Sequence, residues 1–150
     1  MKRLGISVIG CMIMISCAGQ RPLNLGVNGG KLTECPSSPN CVSSQAADED
    51  HQIAPLRYEG AKADALARLK AVVTSYGRTT IIEERDDYLR AEFKSAIMGF
   101  VDDVEFYFPD EHVIHVRSAS RLGYSDLGVN RKRVEKLRKL FEADLTGASQ

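Results

Sequence analysis

Between residues 88 and 117 apolar and polar side chains alternate with a period of two, and on both sides of that stretch the period lengthens to that of a helix. Leu89, Ala91 and Phe93 alternate with Arg90, Glu92 and Lys94. Phe100, Val104, Phe106 and Phe108 alternate with Val101, Asp103, Glu105 and Tyr107, and Ile114 and Val116 alternate with His115 and Arg117. Each pattern describes a strand with one buried and one wet face. Residues 79–84 are β-branched enough for a further strand, although Ile81-Ile82 leaves its inward face open. Asp86-Asp87 and Pro109-Asp110 supply turn chemistry, which predicts an antiparallel meander.

Over residues 61–76, Leu66, Leu69, Val73 and Tyr76 fall at spacings of three and four, with Gly77 as a stop. Over residues 131–145, Val134, Leu137, Phe141 and Leu145 form a second stripe, with Asn130 placed to cap it. The sequence therefore predicts an α+β fold: an antiparallel sheet of about four strands, with one helix before and one after them, both covering one face. Phe93, Val104, Phe106, Phe108, Ile114, Val116, Leu137 and Phe141 are the expected core.

The chain opens differently. Lys2 and Arg3 precede an apolar or small run from Leu4 to Ser16, the order of an export signal. At 1.5 Å per residue that run covers about 20 Å, short of a hydrocarbon core of roughly 30 Å. Its end, Met14-Ile15-Ser16-Cys17, resembles the bacterial lipobox, with Met in place of the usual Leu. The resemblance implies cleavage before Cys17, a thioether-linked diacylglycerol on its thiol and a further fatty acid such as palmitate on the new amino terminus. Two or three chains, at about 0.8 kcal/mol per buried methylene, anchor a protein where one would not. Ala18 rather than Asp follows, which by the same analogy places the protein in the bacterial cell envelope, on the outer membrane facing the periplasm where there are two membranes.

The expected organisation is a signal peptide at 1–16, lipidated Cys17 and a flexible tether at 17–31, one globular domain at 32–146 and a short tail at 147–150. Removing the first 16 of 150 residues leaves 134, enough for one modest domain. Lys2 and Arg3 leave with the signal, so 18 basic residues remain against 20 acidic ones. That near-neutral balance argues against a nucleic-acid partner.

With Cys11 in the discarded run and Cys17 lipidated, Cys35 and Cys41 remain, bracketing Pro36-Ser37-Ser38-Pro39-Asn40. In an oxidising compartment a close pair of thiols is read first as a disulfide. Closing the loop is worth about 2.4 kcal/mol in the chain-entropy model. The five intervening residues exceed the gap of a zinc knuckle, and redox motifs favour two.

Little in the sequence carries catalytic chemistry, and no cofactor is implied. His112 and His115, read as members of one strand, have odd spacing that sends them to opposite faces. His51 stands alone in a loop. Ser118, Ser120, His112, His115 and Asp126 supply the letters of a hydrolase without a nucleophile elbow. More informative is the passage from a strand end through a polar loop into a helix start, residues 117–133. Arg131, Lys132 and Arg133 fall in the first helical turn, where the helix dipole already presents positive charge. Two remedies are open. Internal acids, Asp126 or Asp102 and Asp103, can pair with Arg121, Arg131 or Arg133; or an external anion can be gripped by Arg121, Arg131 and Arg133, with Ser118, Ser120 and Tyr124 donating hydrogen bonds. Asp102 shares parity with Phe100, Val104 and Phe106, so it should point inward, and Arg121 is its expected partner.

Three ordered motifs are similar to those of the domain-of-unknown-function family 1499. They are Leu32-Thr33-Glu34-Cys35-Pro36-Ser37-Ser38-Pro39-Asn40-Cys41-Val42-Ser43-Ser44, Gly99-Phe100-Val101-Asp102-Asp103-Val104-Glu105-Phe106, and the run from Arg117 through Ser120-Arg121-Leu122-Gly123-Tyr124 to Arg131. The resemblance implies one shared domain whose signature parts are the cysteine loop and the serine-arginine loop, and it brings no established activity. The leading expectation is a non-enzymatic envelope lipoprotein, membrane-bound through Cys17, that binds a small anion or an envelope protein through residues 118–130, with Asp102 and Asp126 holding the arginines. The runner-up is an envelope enzyme acting on an anionic substrate with Asp102 or Asp126 as acid or base. A pure interaction module, marked by an exposed apolar patch, is the third. Purified exported protein should show no maleimide-reactive thiol at Cys35 or Cys41; labelling at both would remove the bridge.

Overall fold

The computed structural model describes residues 18–147, so the residues read as an export signal and lipobox, Cys17 included, lie outside the described residues. Two short strands, β1 (Val27–Asn28) and β2 (Lys31–Leu32), form a hairpin. They are followed by β3 (Cys41–Ser43), β4 (Leu56–Arg57), α1 (Lys62–Ser75), β5 (Thr79–Arg85), β6 (Tyr88–Lys94), β7 (Val101–Tyr107), β8 (Val113–Ser120) and α2 (Val129–Gly147). Strands β5 to β8 form the antiparallel meander that the alternation predicts. The main sheet has six strands rather than about four, because β3 and β4 both pair with the outer edge of β8. Cys41 to Ser43 lie opposite Ala119 to Arg117, and Leu56 and Arg57 lie opposite Ile114 and Val113. Pairing covers an edge that would otherwise expose a row of free N–H and C=O groups.

The first helix is also not ahead of the strands: four short ones precede it. Strands of two or three residues are too short to show a period, so composition gave no sign of them. Helix α2 starts at Val129, two residues before the expected start, and Asn130 lies inside it rather than capping it.

The even-numbered residues of β7 and β8, with Leu89, Ala91 and Phe93 of β6, face a core closed by Leu66, Leu69 and Val73 of α1 and by Val134, Leu137 and Phe141 of α2. All eight expected core residues are buried. A register shift between Ile81 and Glu83 resolves the ambiguity of β5: Ile82 is the bulged residue and Ile81 packs on the core.

The opposite face of the sheet is the main departure from the sequence reading. Its residues were expected to be wet, yet Asp103 is 1% exposed and Glu105 fully buried, with Tyr88, Arg90 and Arg117 buried beside them. Part of the stretch read as a tether lies over this face. The Gly26 N–H donates to Glu105 Oε1 at 2.8 Å, and Arg21 Nε to Glu92 Oε1 at 2.7 Å. Burial is tolerated because Arg90 and Arg117 both face Glu105 across the strands, and because Arg121 donates to both members of the facing like-charge pair Glu92 and Asp103. Glu105 accepts from Tyr88 Oη at 2.8 Å and from Arg117 Nη1 at 3.3 Å.

The Cys35–Cys41 disulfide closes the loop before β3, with Cα atoms 5.7 Å apart. Among the described residues no helix is long and apolar enough to cross a membrane. Replacing Glu105 with Ala leaves Arg117 buried without its carboxylate and the Gly26 amide unpaired. Chemical denaturation should record a loss of about 3–5 kcal/mol; a loss below about 1 kcal/mol, the scale of a surface ion pair, would show that this face is open to water.

Candidate functional site

The signature loop joins the end of β8 to the start of α2, and its polar residues divide between the two faces of the sheet. Ser118, Ser120 and Asp102 share one face by strand parity, since Asp102 lies opposite Ser120. Asn130, fully buried, ties them together. Its Oδ1 accepts from Ser118 Oγ at 2.6 Å and from Arg133 Nη1 at 2.7 Å. Its Nδ2 donates to Asn40 O at 3.0 Å, Ser120 Oγ at 2.9 Å and Asp126 Oδ2 at 2.8 Å. Arg133 completes the cluster by donating to Asp102 Oδ2 and, at 3.2 Å, to Ser118 Oγ.

Asp126 performs the capping expected of Asn130. Its Oδ1 accepts the Gly128 N–H at 2.9 Å and its Oδ2 the Asn130 N–H at 2.7 Å, placing negative charge at a helix N-terminus. It therefore holds the helix start rather than an arginine. Gly128, at φ +77°, and Leu127, at φ +54°, are left-handed in this approach to the helix.

Arg121 is one residue past Ser120, so it emerges on the opposite face. There Nε and Nη2 grip Asp103 at 2.7 and 2.9 Å, and Nη2 also donates to Glu92. The expected Asp102–Arg121 pair is thus replaced by Asp102–Arg133 and Asp103–Arg121, because adjacent aspartates point to opposite faces. Arg131 turns to backbone carbonyls, those of Gln52 and Asp50, both at 2.8 Å. Tyr124 is 75% exposed. The six residues proposed from the sequence as one anion grip are therefore distributed: Ser118, Ser120 and Arg133 converge, while Arg121, Arg131 and Tyr124 each lie elsewhere.

Burial opposes ionisation of Asp103, but hydrogen bonds from Arg121 and Arg90 outweigh it and hold its carboxyl below the usual range. In Glu92 the same contest between burial and the hydrogen bonds of Arg21 and Arg121 ends the same way. Burial, then the charge and hydrogen bond of Glu105, push the Tyr88 hydroxyl far up, so it stays a donor.

His112 lies just before β8 with φ +55° and packs on Tyr58, rather than sitting in the strand. His115 meets Ser44 Oγ at 3.1 Å. His51, read as incidental, is buried and joins Asp48 Oδ1 (2.6 Å) to the Ser38 carbonyl (3.2 Å) inside the cystine loop. Among the described residues no group of acids, cysteines and histidines has the arrangement of a metal site. Glu105, Arg90, Arg117 and Asn40 were missed as site residues. For the three charged residues a signal was present: Arg90 and Arg117 both fall opposite Glu105 when the strands are folded as hairpins, a pattern equally suited to a solvated face.

A groove of about 350 Å³ runs beside this second cluster, bordered by Glu34, Cys35, Asp103, Arg117, Ser120 and Arg121 among others. Fold and site together define a small cystine-stapled α+β domain with a sheet buried on both faces and ion pairs sealing one of them. Residues 31–141 match the model of the family described as "Protein of unknown function (DUF1499)", and the chain belongs to that family. No curated protein matches it.

A carboxyl whose folded pKa is depressed adds stability that is complete above its unfolded pKa, about 4, and is lost as pH falls through the folded value. The melting temperature should therefore drop as the pH is lowered below about 4, and Glu92→Gln should flatten that drop. An unchanged profile in the variant would show that Arg21 and Arg121 do not hold Glu92.

Proposed function

We propose that this chain is a lipid-anchored protein of the bacterial envelope whose domain is a binding or scaffold module rather than a catalyst. The leader and Met14-Ile15-Ser16-Cys17 support the address. The observation that carries the role is the commitment of the signature-loop arginines: Arg121 is engaged by Asp103 and Glu92, and Arg133 by Asp102 and Asn130. Asp102, 5% exposed and paired, and Asp126, with both oxygens on the Gly128 and Asn130 amides at the helix start, are poorly placed as acid or base for an anionic substrate.

One observation favours a small-anion ligand as a second reading. Arg117 Nε is buried without a hydrogen-bond partner beside the groove that Arg121 and Ser120 also border.

In a Gram-negative host the wild-type chain should fractionate with membranes and carry acyl mass on its N-terminal peptide, whereas Cys17→Ala should move to the soluble fraction. A Cys17→Ala protein that stays on membranes would refute the lipid anchor. Inorganic phosphate that raises the melting temperature of wild type but not of Arg117→Gln would favour the second reading over a plain scaffold.

A further inference from the structure

Two loops leave the same end of the sheet. The hairpin between β6 and β7 ends at Val101, whose carbonyl accepts the Arg121 N–H at 3.3 Å, and Arg121 opens the loop that follows β8. Both loops carry large apolar side chains into solvent. Ile97 is 93% exposed, with Met98 and Phe100 beside it in sequence, and Leu127 is 86% exposed, with Leu122 and Tyr124 on the same loop. Side chains of this size on two neighbouring loops are more than scattered surface apolarity and mark a surface that something covers.

The start of the described chain reaches that same end. A Cβ placed on Gly19 would stand 3.0 Å from Arg121 Cβ and 3.1 Å from Leu122 Cγ, so the backbone at Gly19 presses directly on the loop. Cys17 precedes Gly19 by two residues in the sequence, a length of chain that spans at most about 8 Å. Any lipid on Cys17 therefore leaves the protein beside the apolar loops.

Charge divides the domain in the same sense. In residues 95–100 and 121–128 the one acid is Asp126, and its oxygens are taken by the Gly128 and Asn130 amides. Lys94 stands exposed at the foot of the hairpin, its Cε 3.6 Å from a Cβ placed on Gly99. At the opposite end the turns between β5 and β6 and between β7 and β8 carry Asp86, Asp87, Asp110 and Glu111; Lys62 pairs with Asp110 and Arg85 with Asp87, which leaves four acids against two bases there. A basic side chain at the rim of an apolar surface can extend its amine to lipid phosphates, while acids are repelled by an anionic leaflet.

We propose that the end of the sheet bearing Ile97, Met98, Phe100, Leu122, Tyr124 and Leu127 rests in the headgroup layer of the membrane that anchors Cys17, fixing the domain upright with its acidic turns outward. This rests on the lipid-anchor reading above. Its occupant is the bilayer itself, because the anchor and the apolar loops share one exit point and a surface held within a few residues of its lipid meets that lipid continually.

The chain contains no tryptophan, so a single introduced one reports its own surroundings. The lipidated mature forms of Tyr124→Trp, Met98→Trp and, as a control at the far end, Asp86→Trp would be reconstituted in phosphatidylethanolamine–phosphatidylglycerol vesicles. Quenching by lipids brominated on their acyl chains is then measured after flotation. The expected result is a blue-shifted, quenched emission at positions 124 and 98 and neither change at 86. If all three proteins float but 124 and 98 are quenched no more than 86, the anchor stands and the docking is overturned, including the case in which the rim belongs to a protein partner. If the proteins do not float and carry no lipid mass on Cys17, the anchor reading fails and the docking fails with it.

Discussion

The grip of Arg121 on Asp103 is the interaction on which the rest of the arrangement depends. Asp103 is almost wholly buried on a sheet face that the alternation assigns to water, and a lone carboxylate there would be costly. Arg121 meets it with two hydrogen bonds and Arg90 adds a third. Glu92 then joins Arg121 to Arg21, and through Arg21 the N-terminal segment is drawn onto the sheet. Glu105, held by Tyr88, Arg117 and the Gly26 amide, fixes the same segment further along. A sheet that could have had one wet face is thus closed on both, with hydrocarbon on one side and paired charge on the other.

This division explains why the signature loop looked like an anion grip. A run of arginines and serines at a helix start has the composition of one, but strand parity separates its members. Ser118, Ser120 and Arg133 face the helices with Asp102, whereas Arg121 faces the N-terminal segment with Asp103. Asn130 binds the cystine loop, β8 and the capping carboxylate of Asp126 in one buried contact set. The loop, the disulfide and the helix start therefore behave as a single structural joint, built where the chain enters the domain.

What could be read from the sequence follows from the length of each element. Seven- and eight-residue strands and helices of three turns or more display their periods, so the meander, both helices and the core from Phe93 to Phe141 were legible. The strands β1 to β4, of two or three residues each, carry no period and escaped notice, and with them the true width of the sheet and the place of α1 in the order. The inward turn of Asp102 was legible from parity, but its partner was not: choosing between Arg121 and Arg133 requires knowing where α2 crosses the sheet. Glu105 and Arg117 were hidden for a different reason. Charged residues at alternating positions describe a solvated face unless another segment covers it, and Gly, Asn and Pro gave that segment the composition of a linker.

Arg121 is committed to Asp103 as part of the fold rather than held ready for a ligand. A double-mutant cycle with Asp103→Asn and Arg121→Gln, read by chemical denaturation, measures that commitment directly. The expected coupling between the two sites is about 1–3 kcal/mol, with each single variant markedly less stable than wild type. Additive effects of a few tenths of a kcal/mol, within about 0.5 kcal/mol of independence, would contradict it and return Arg121 to the surface as a free cation.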